Sequence, residues 1–297
     1  MLLQAPLQPL NLDWLCQSRI DVAILRLDLI DPLISGNKWF KLNHHLRAAE
    51  QAGAQGVISL GGAHSNHLHA LAAAGKRSGF STVGLLRGHP VETPTVLDLQ
   101  AFGMELHWLG YAGYRARHEP DFWLSWRECY PQLYPIPEGG GGRDGAWGCA
   151  EIVTQARSQL GNLGWDDYDG WWLACGTGTT LAGLVLAESG GRTVHGAMAV
   201  PGDHGVAENV QAILGPEQSR RYRLIEASRA GFAKTDPQLL EFIADCERQS
   251  GVPFEPLYTG KALLALRQAV EARHVAEGSR LIFVHTGGLQ GKRAMTS

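Results

Sequence analysis

Short apolar runs take turns along this chain with longer stretches whose apolar positions recur at helical spacing, a pattern that predicts alternating strands and helices. GVISLGG (56–62) predicts a strand, SNHLHALAAAGKRSG (65–79) a helix, and STVGLLRG (81–88) the next strand, so residues 56–88 make a compact βαβ unit. Helix TVLDLQAFG, strand MELHWLG, helix DFWLSWREC and strand QLYPIP follow. The last of these runs into EGGGGRDGAWG, where Gly139 to Gly142 leave the backbone too free for a strand or helix and mark a turn or a crossing between domains. Beyond it come helix CAEIVTQARSQLG, strand YDGWWLACG, helix TTLAGLVLAESGG, strand TVHGAMAVPG and helix GVAENVQAILG. Helices DPQLLEFIADCERQSG and KALLALRQAVEARHVAEG precede a final strand, RLIFVHTGG. No internal repeat is visible. The alternation predicts an α/β protein with largely parallel sheet. Residues 1–45 and 141–297 would form a large domain and residues 46–140 a small inserted one, with a ligand in the cleft between them.

Composition narrows this picture. The 297 residues are 44% hydrophobic, enough to bury a sizeable core. The net charge of −3 offers no basic field for a polyphosphate, so nucleic acid is not an expected partner. No apolar run reaches the roughly 18 residues of a spanning helix, and the first residues do not extend into a leader-like stretch, so a cytoplasmic protein away from membranes is expected. Cysteines 16, 129, 149, 175 and 246 are odd in number and scattered, which points to reduced thiols rather than disulfides or a thiolate metal cage.

Candidate chemistry begins with LACGTGTTLAG. An apolar strand ends in Gly176, Thr177, Gly178, Thr179 and Thr180 and passes into a helix. Glycines leave backbone N–H groups open, the threonines add hydroxyls, and the helix start adds about half a positive charge, so the loop suits a phosphate. Thr179 stands where a P-loop needs lysine, and Leu181 where a dinucleotide fingerprint needs its third glycine. A threonine-capped strand-to-helix turn has the same pattern. In SLGGAHSNHLHA, Ser65 and Asn66 fall at an N-cap and first turn, where they would present N–H groups and short polar side chains to a carboxylate, or simply cap a helix. His64, His67 and His69 scatter around that helix start without an acidic or cysteine partner, so no metal is expected. Tyr258 and Thr259 precede a helix opening at Lys261, and His285 and Thr286 end the last strand; each could equally be a core or turn residue. Finally, SGNKWFKLNHH places Lys38 behind Ser-Gly-Asn and just ahead of a helical segment.

Together these stretches resemble the fold-type II pyridoxal-phosphate enzymes, in the branch that holds 1-aminocyclopropane-1-carboxylate deaminase and D-cysteine desulfhydrase. SGNKWFKL is similar to that family's G-N-K-x-x-K-L, GGAHSNH to its G-G-x-x-S-N-x, CGTGTT to its phosphate loop, and YTGKA and HTGG to two segments lining ring and substrate. The motifs stand in family order from about residue 20 to 290. The resemblance implies a tryptophan synthase β-like fold of two domains, each an open, mostly parallel twisted sheet flanked by helices, and a homodimer. It implies pyridoxal 5'-phosphate as cofactor, Lys38 as the Schiff-base lysine, and Lys41 near the phosphate held by Gly176 to Thr180. Asn66 would meet the phenolic oxygen, Thr286 the ring nitrogen, and Ser65 the carboxylate of an amino acid substrate. His67, Tyr258 and Thr259 would line the substrate pocket, with Tyr258 assisting proton transfer or departure of the leaving group. Trp39 and Phe40 would tune that pocket or serve as packing.

Two positions bear on the reaction. The family pattern gives deaminases Glu after the tyrosine and Leu before the final glycines, whereas this chain has Thr259 and Thr286. Opening a cyclopropane needs a strong electron sink, which a carboxylate at the ring nitrogen favours and a threonine hydroxyl does not. The expectation is therefore α,β-elimination like that of D-cysteine desulfhydrase, giving pyruvate, ammonia and sulfide. The alternatives are 1-aminocyclopropane-1-carboxylate deaminase, cysteate sulfo-lyase and a non-catalytic holder of the cofactor. Because GKRAMTS (291–297) follows the last strand so closely, any C-terminal closing element is expected to be reduced.

Overall fold

The computed structural model describes residues 4–188, 191–229, 231 and 234–290, so the GKRAMTS segment lies outside the described residues. Its strands are β1 (Leu7–Pro9), β2 (Asp21–Arg26), β3 (Gly56–Gly61), β4 (Ser81–Leu86), β5 (Glu105–Trp108), β6 (Leu133–Pro135), β7 (Gly170–Cys175), β8 (Thr193–Met198), β9 (Tyr222–Glu226) and β10 (Arg280–His285). They form a six-stranded sheet in the order β1-β2-β10-β7-β8-β9 and a four-stranded sheet in the order β5-β4-β3-β6. Every pairing is parallel except β1 with β2.

Both faces of the large sheet are buried, as parallel sheets require. Alternate residues feed separate cores: Ala23, Leu25, Trp171, Leu173, Ile282 and Val284 enter one, and Val22, Ile24, Trp172, Ala174, Leu281 and Phe283 the other. The small sheet does the same, with Val57 on one side and Ile58, Leu60, Val83 and Leu85 on the other.

Three strands fall outside the expected elements. DVAILR is apolar enough for a strand, but its parallel partner β10 is remote in sequence. YRLIE carries charged residues because β9 is an edge strand. LQP is too short for a period to show. The glycine run also differs from expectation: Glu138–Gly140 is a single 3-10 turn and Gly142–Cys149 is already helix. The helix expected from Lys261 opens at Thr259 and stops at Glu271, where Arg273 takes a left-handed φ of 57°. Helices Asn37–Gln51, Asn66–Ser78 and Thr179–Ala187 lie where the motifs put them, the last two directly after β3 and β7. Ligands of open α/β sheets gather beyond such strand ends.

Candidate active site

Lys38 stands in the first turn of the Asn37–Gln51 helix, and a glycine fixes that turn. Gly36 takes φ 72° and ψ −155°, and a Cβ there would overlap the carbonyl oxygen of Thr286 at the end of β10. The Asn37 N–H donates to that same carbonyl at 3.1 Å, so the lysine helix is tied to the strand it rests on. Three residues on and on the same face, Lys41 is fully buried. Lys38 Nζ donates to the Gly139 carbonyl at 3.1 Å and Lys41 Nζ to the same oxygen at 3.4 Å. Enclosure of its amine, and then the charge of Lys41, push the Lys38 pKa well below the ordinary lysine range; burial lowers Lys41 as well.

The glycine turn is therefore a wall of the site. Gly139 and Gly140 both have left-handed φ, at 68° and 66°. A Cβ on Gly139 would sit 3.2 Å from Thr177 Cγ2 and 3.9 Å from Lys38 Nζ. His45 Nε2 donates to the Gly141 carbonyl at 3.0 Å, and the His67 ring lies 3.4 Å from where a Gly140 Cβ would be. Ser59 Oγ spends its proton on the Ile136 carbonyl at 2.8 Å, so at its 2.8 Å contact with His67 Nε2 it must accept. That fixes the Nε2–H tautomer and leaves buried His67 Nδ1 as an acceptor without a protein partner. Burial, then the charge of Lys38, push His67 well below its ordinary pKa and keep it neutral.

Across the turn lies the Gly-Thr loop. Gly178 adopts φ 75°, Thr177 and Thr179 share a 2.9 Å hydroxyl contact, Asn37 Nδ2 donates to Thr180 Oγ1 at 2.9 Å, and Asn209 Nδ2 donates to the Thr177 carbonyl. Among the described residues the N–H groups of Gly176, Thr177 and Gly178 have no protein acceptor. The Tyr258 ring covers Gly176, whose Cβ would lie 3.1 Å from Tyr258 Cε1. Burial, then Glu255 and Glu138, hold the Tyr258 hydroxyl protonated.

The remaining candidates divide. Ser65 Oγ caps its helix by accepting from the Leu68 N–H at 3.2 Å. Asn66 Nδ2 lies 3.2 Å from where Gly288 would carry a Cβ, and Glu255 Cγ lies 3.3 Å from the same point. Thr259 is fully buried, and its hydroxyl is engaged with Glu255. Glu255 accepts N–H groups from Leu257, Tyr258 and Thr259 at 2.7, 2.7 and 2.6 Å, while burial pushes its carboxyl up to about 7. Phe40 is core, and Trp39 packs against two cores. No group of three His, Cys, Asp or Glu among the described residues is placed to hold a metal.

The motifs gave no role to Asn37, Glu138 or Glu255, and the glycine run was expected as a turn or domain crossing rather than as a wall of the site. One signal was available for the turn: it directly follows a parallel strand end.

The donor set fits pyridoxal phosphate. Lys38 is an amine whose enclosure favours the neutral form that a carbonyl needs, the Gly-Thr loop offers N–H and hydroxyl donors to a phosphate, and His67 keeps an orphaned buried acceptor beside them. A family model described as pyridoxal-phosphate dependent enzyme matches residues 16–287. A mitochondrial bifunctional D-cysteine desulfhydrase/1-aminocyclopropane-1-carboxylate deaminase of Arabidopsis thaliana is 28% identical over 97% of this chain and 77% of its own length. A putative 1-aminocyclopropane-1-carboxylate deaminase of Pyrococcus horikoshii is 30% identical over 91% of this chain and 85% of its own. Among solved structures, an ACC deaminase homologue superposes with a TM-score of 0.83 at 25% identity, covering 100% of this chain and 95% of that one. No helix among the described residues is long and apolar enough to cross a membrane.

Proposed function

We propose the reaction from one premise: this chain belongs to the family of pyridoxal-phosphate dependent enzymes. It is a lyase that carries out α,β-elimination on a β-substituted amino acid, D-cysteine foremost, which with water gives pyruvate, ammonia and sulfide. Pyridoxal phosphate, when bound, supplies the electron sink that makes the substrate's Cα–H acidic. Lys38 would carry the cofactor, and the same ε-amine, its neutral form favoured by its enclosure and by Lys41, is the base for the Cα proton. Gly176 to Thr180, with Lys41 near them, would hold the phosphate, Asn66 the phenolic oxygen and Thr286 the ring nitrogen. Ser65 and the first-turn N–H groups of its helix would take the substrate carboxylate, with His67 and Tyr258 along the rest of the pocket. Tyr258, protonated at neutral pH, is a donor to the leaving group.

The observation that carries elimination over ring opening is that the residue at 286 is a threonine, while Glu255, the carboxylate beside Gly288, accepts three backbone N–H groups. The name of the Pyrococcus relative favours a second reading, deamination of 1-aminocyclopropane-1-carboxylate, and that of the Arabidopsis relative carries both activities. The two-domain division at residues 46 and 140, a homodimer and a cytoplasmic location belong to the same proposal.

The test is a paired assay of the protein and Lys38→Ala with D-cysteine, L-cysteine, L-cysteate, β-chloro-D-alanine and 1-aminocyclopropane-1-carboxylate. Pyruvate from a β-substituted substrate, lost in Lys38→Ala together with the visible absorption band, is expected. Release of 2-oxobutyrate from the cyclopropane would overturn elimination in favour of deamination, and a band without any product would mark a cofactor holder.

A further inference from the structure

The turn that binds both lysine amines, residues 138–142, carries one side chain, that of Glu138. Two residues of the small-sheet side fix its carboxylate: the Tyr114 hydroxyl donates to Oε1 at 2.5 Å and Arg117 Nε to Oε2 at 2.8 Å. Arg117 is itself anchored, donating to the Tyr114 carbonyl at 3.1 Å with its guanidinium 4.6 Å from the Tyr114 ring centre. Tyr114 is buried and its hydroxyl is held far above the ordinary range, so it remains a donor. Glu138 is thus an immobilised carboxylate whose side chain is still 42% exposed. Its backbone leads directly into Gly139, whose carbonyl is 3.1 Å from Lys38 Nζ. Of the ion pair, it is the Glu138 charge that acts on both Lys38 and Tyr258.

None of the roles assigned above uses this carboxylate. A fixed negative charge at the rim of a reaction site discriminates by repulsion, because bringing a like charge beside it in a partly dry cleft costs several times what it costs in water. We propose that Glu138, oriented by Tyr114 and Arg117, selects substrates by the charge of the β-substituent: neutral and cationic groups are admitted, and carboxylate and sulfonate groups are refused. This rests on the elimination reading and narrows it, setting cysteine and its neutral S- or halogen-substituted analogues apart from cysteate.

Asparagine and aspartate test it, since they match in shape, differ by one charge and carry no good β-leaving group. The visible band of the holoenzyme is titrated with the D and L forms of each, in the wild type, Glu138→Gln and Arg117→Gln. The wild type is expected to bind asparagine at least tenfold more tightly than aspartate, Glu138→Gln to shrink that gap below threefold by tightening aspartate, and Arg117→Gln to widen it by leaving the carboxylate uncompensated. Equal binding of the pair by the wild type, or a gap that survives in Glu138→Gln, overturns the inference. If Glu138→Gln does not fold, Arg117→Gln decides: a wider gap supports the selector and an unchanged or narrower one overturns it. If no amino acid moves the band, the elimination reading itself falls and the selector with it.

Discussion

Lys38 Nζ and Lys41 Nζ meet at a single acceptor, the Gly139 carbonyl oxygen, at 3.1 and 3.4 Å. Two ammonium groups so placed repel, and the repulsion adds to burial in favouring a neutral Lys38. Replacing Lys41 by Met removes the neighbouring positive charge, so Lys38 holds its proton to higher pH and is less often available as a base. The acid limb of the kcat profile, which reports the complex in which substrate has freed the Lys38 amine, is expected to move to higher pH. An unmoved acid limb would show that Lys41 does not tune Lys38.

Gly36 is expected to be far less tolerant of substitution than Gly53, although their φ values, 72° and 69°, are nearly equal. Nothing lies within 4 Å of a Cβ on Gly53, so Gly53→Ala should cost about 1 kcal/mol, the ordinary strain of a left-handed position. A Cβ on Gly36 overlaps the Thr286 carbonyl and pushes the Lys38 helix off β10, so Gly36→Ala should cost at least about 3 kcal/mol and the visible band with it. Urea melts of the two variants, compared with the wild type, check both.

Ser59→Ala probes the His67 tautomer. It leaves the His67 Nε2–H buried without its acceptor, at a cost of about 1–3 kcal/mol. Ser59→Thr, which keeps the hydroxyl, should recover part of that in the same melts. Equal stability of the alanine variant and the wild type would mean that His67 does not donate to Ser59.

Glu255 sets a pH dependence of stability with an unusual sign. Its carboxyl is pushed up to about 7 in the folded chain from an ordinary 4.5, so between those values the folded state binds more protons than the unfolded one. Stability from this group is fully present at low pH and is lost as pH rises toward 7. Glu255→Gln removes the titration, so the Tm difference, variant minus wild type, should grow by a few degrees between pH 5 and 7.5. A constant difference would mean that the three N–H donors keep Glu255 ionised throughout.

The motif-bearing strand ends were legible because each is a local event: an apolar run, a glycine or two, then a helix start. Ser65 and the Gly176–Thr180 loop have that form, whereas Lys38 was marked only by a glycine and a helix start. The glycine turn was not legible as a site wall, because glycine signals only conformational freedom. What Gly139 does depends on Lys38, Lys41 and Thr177 arriving from other parts of the chain. Glu255 escaped for a similar reason, since its partners are backbone N–H groups that carry no sequence signal. Thr259 stands beside Tyr258 in the motif, and its hydroxyl also engages Glu255, a contact that only packing makes.

β10 is inserted between β2 and β7, with Ile282 paired to both Ala23 and Trp171. A ribosome delivers the centre of this sheet after both of its neighbours. Until residues 280–285 emerge, β2 and β7 offer bare inner edges to any other strand, a hazard for the nascent chain. Gly36 likewise has no Thr286 carbonyl to close upon, so Lys38 has no fixed seat. The cradle cannot close before residues 280–286 have been made, so cofactor capture follows the synthesis of β10.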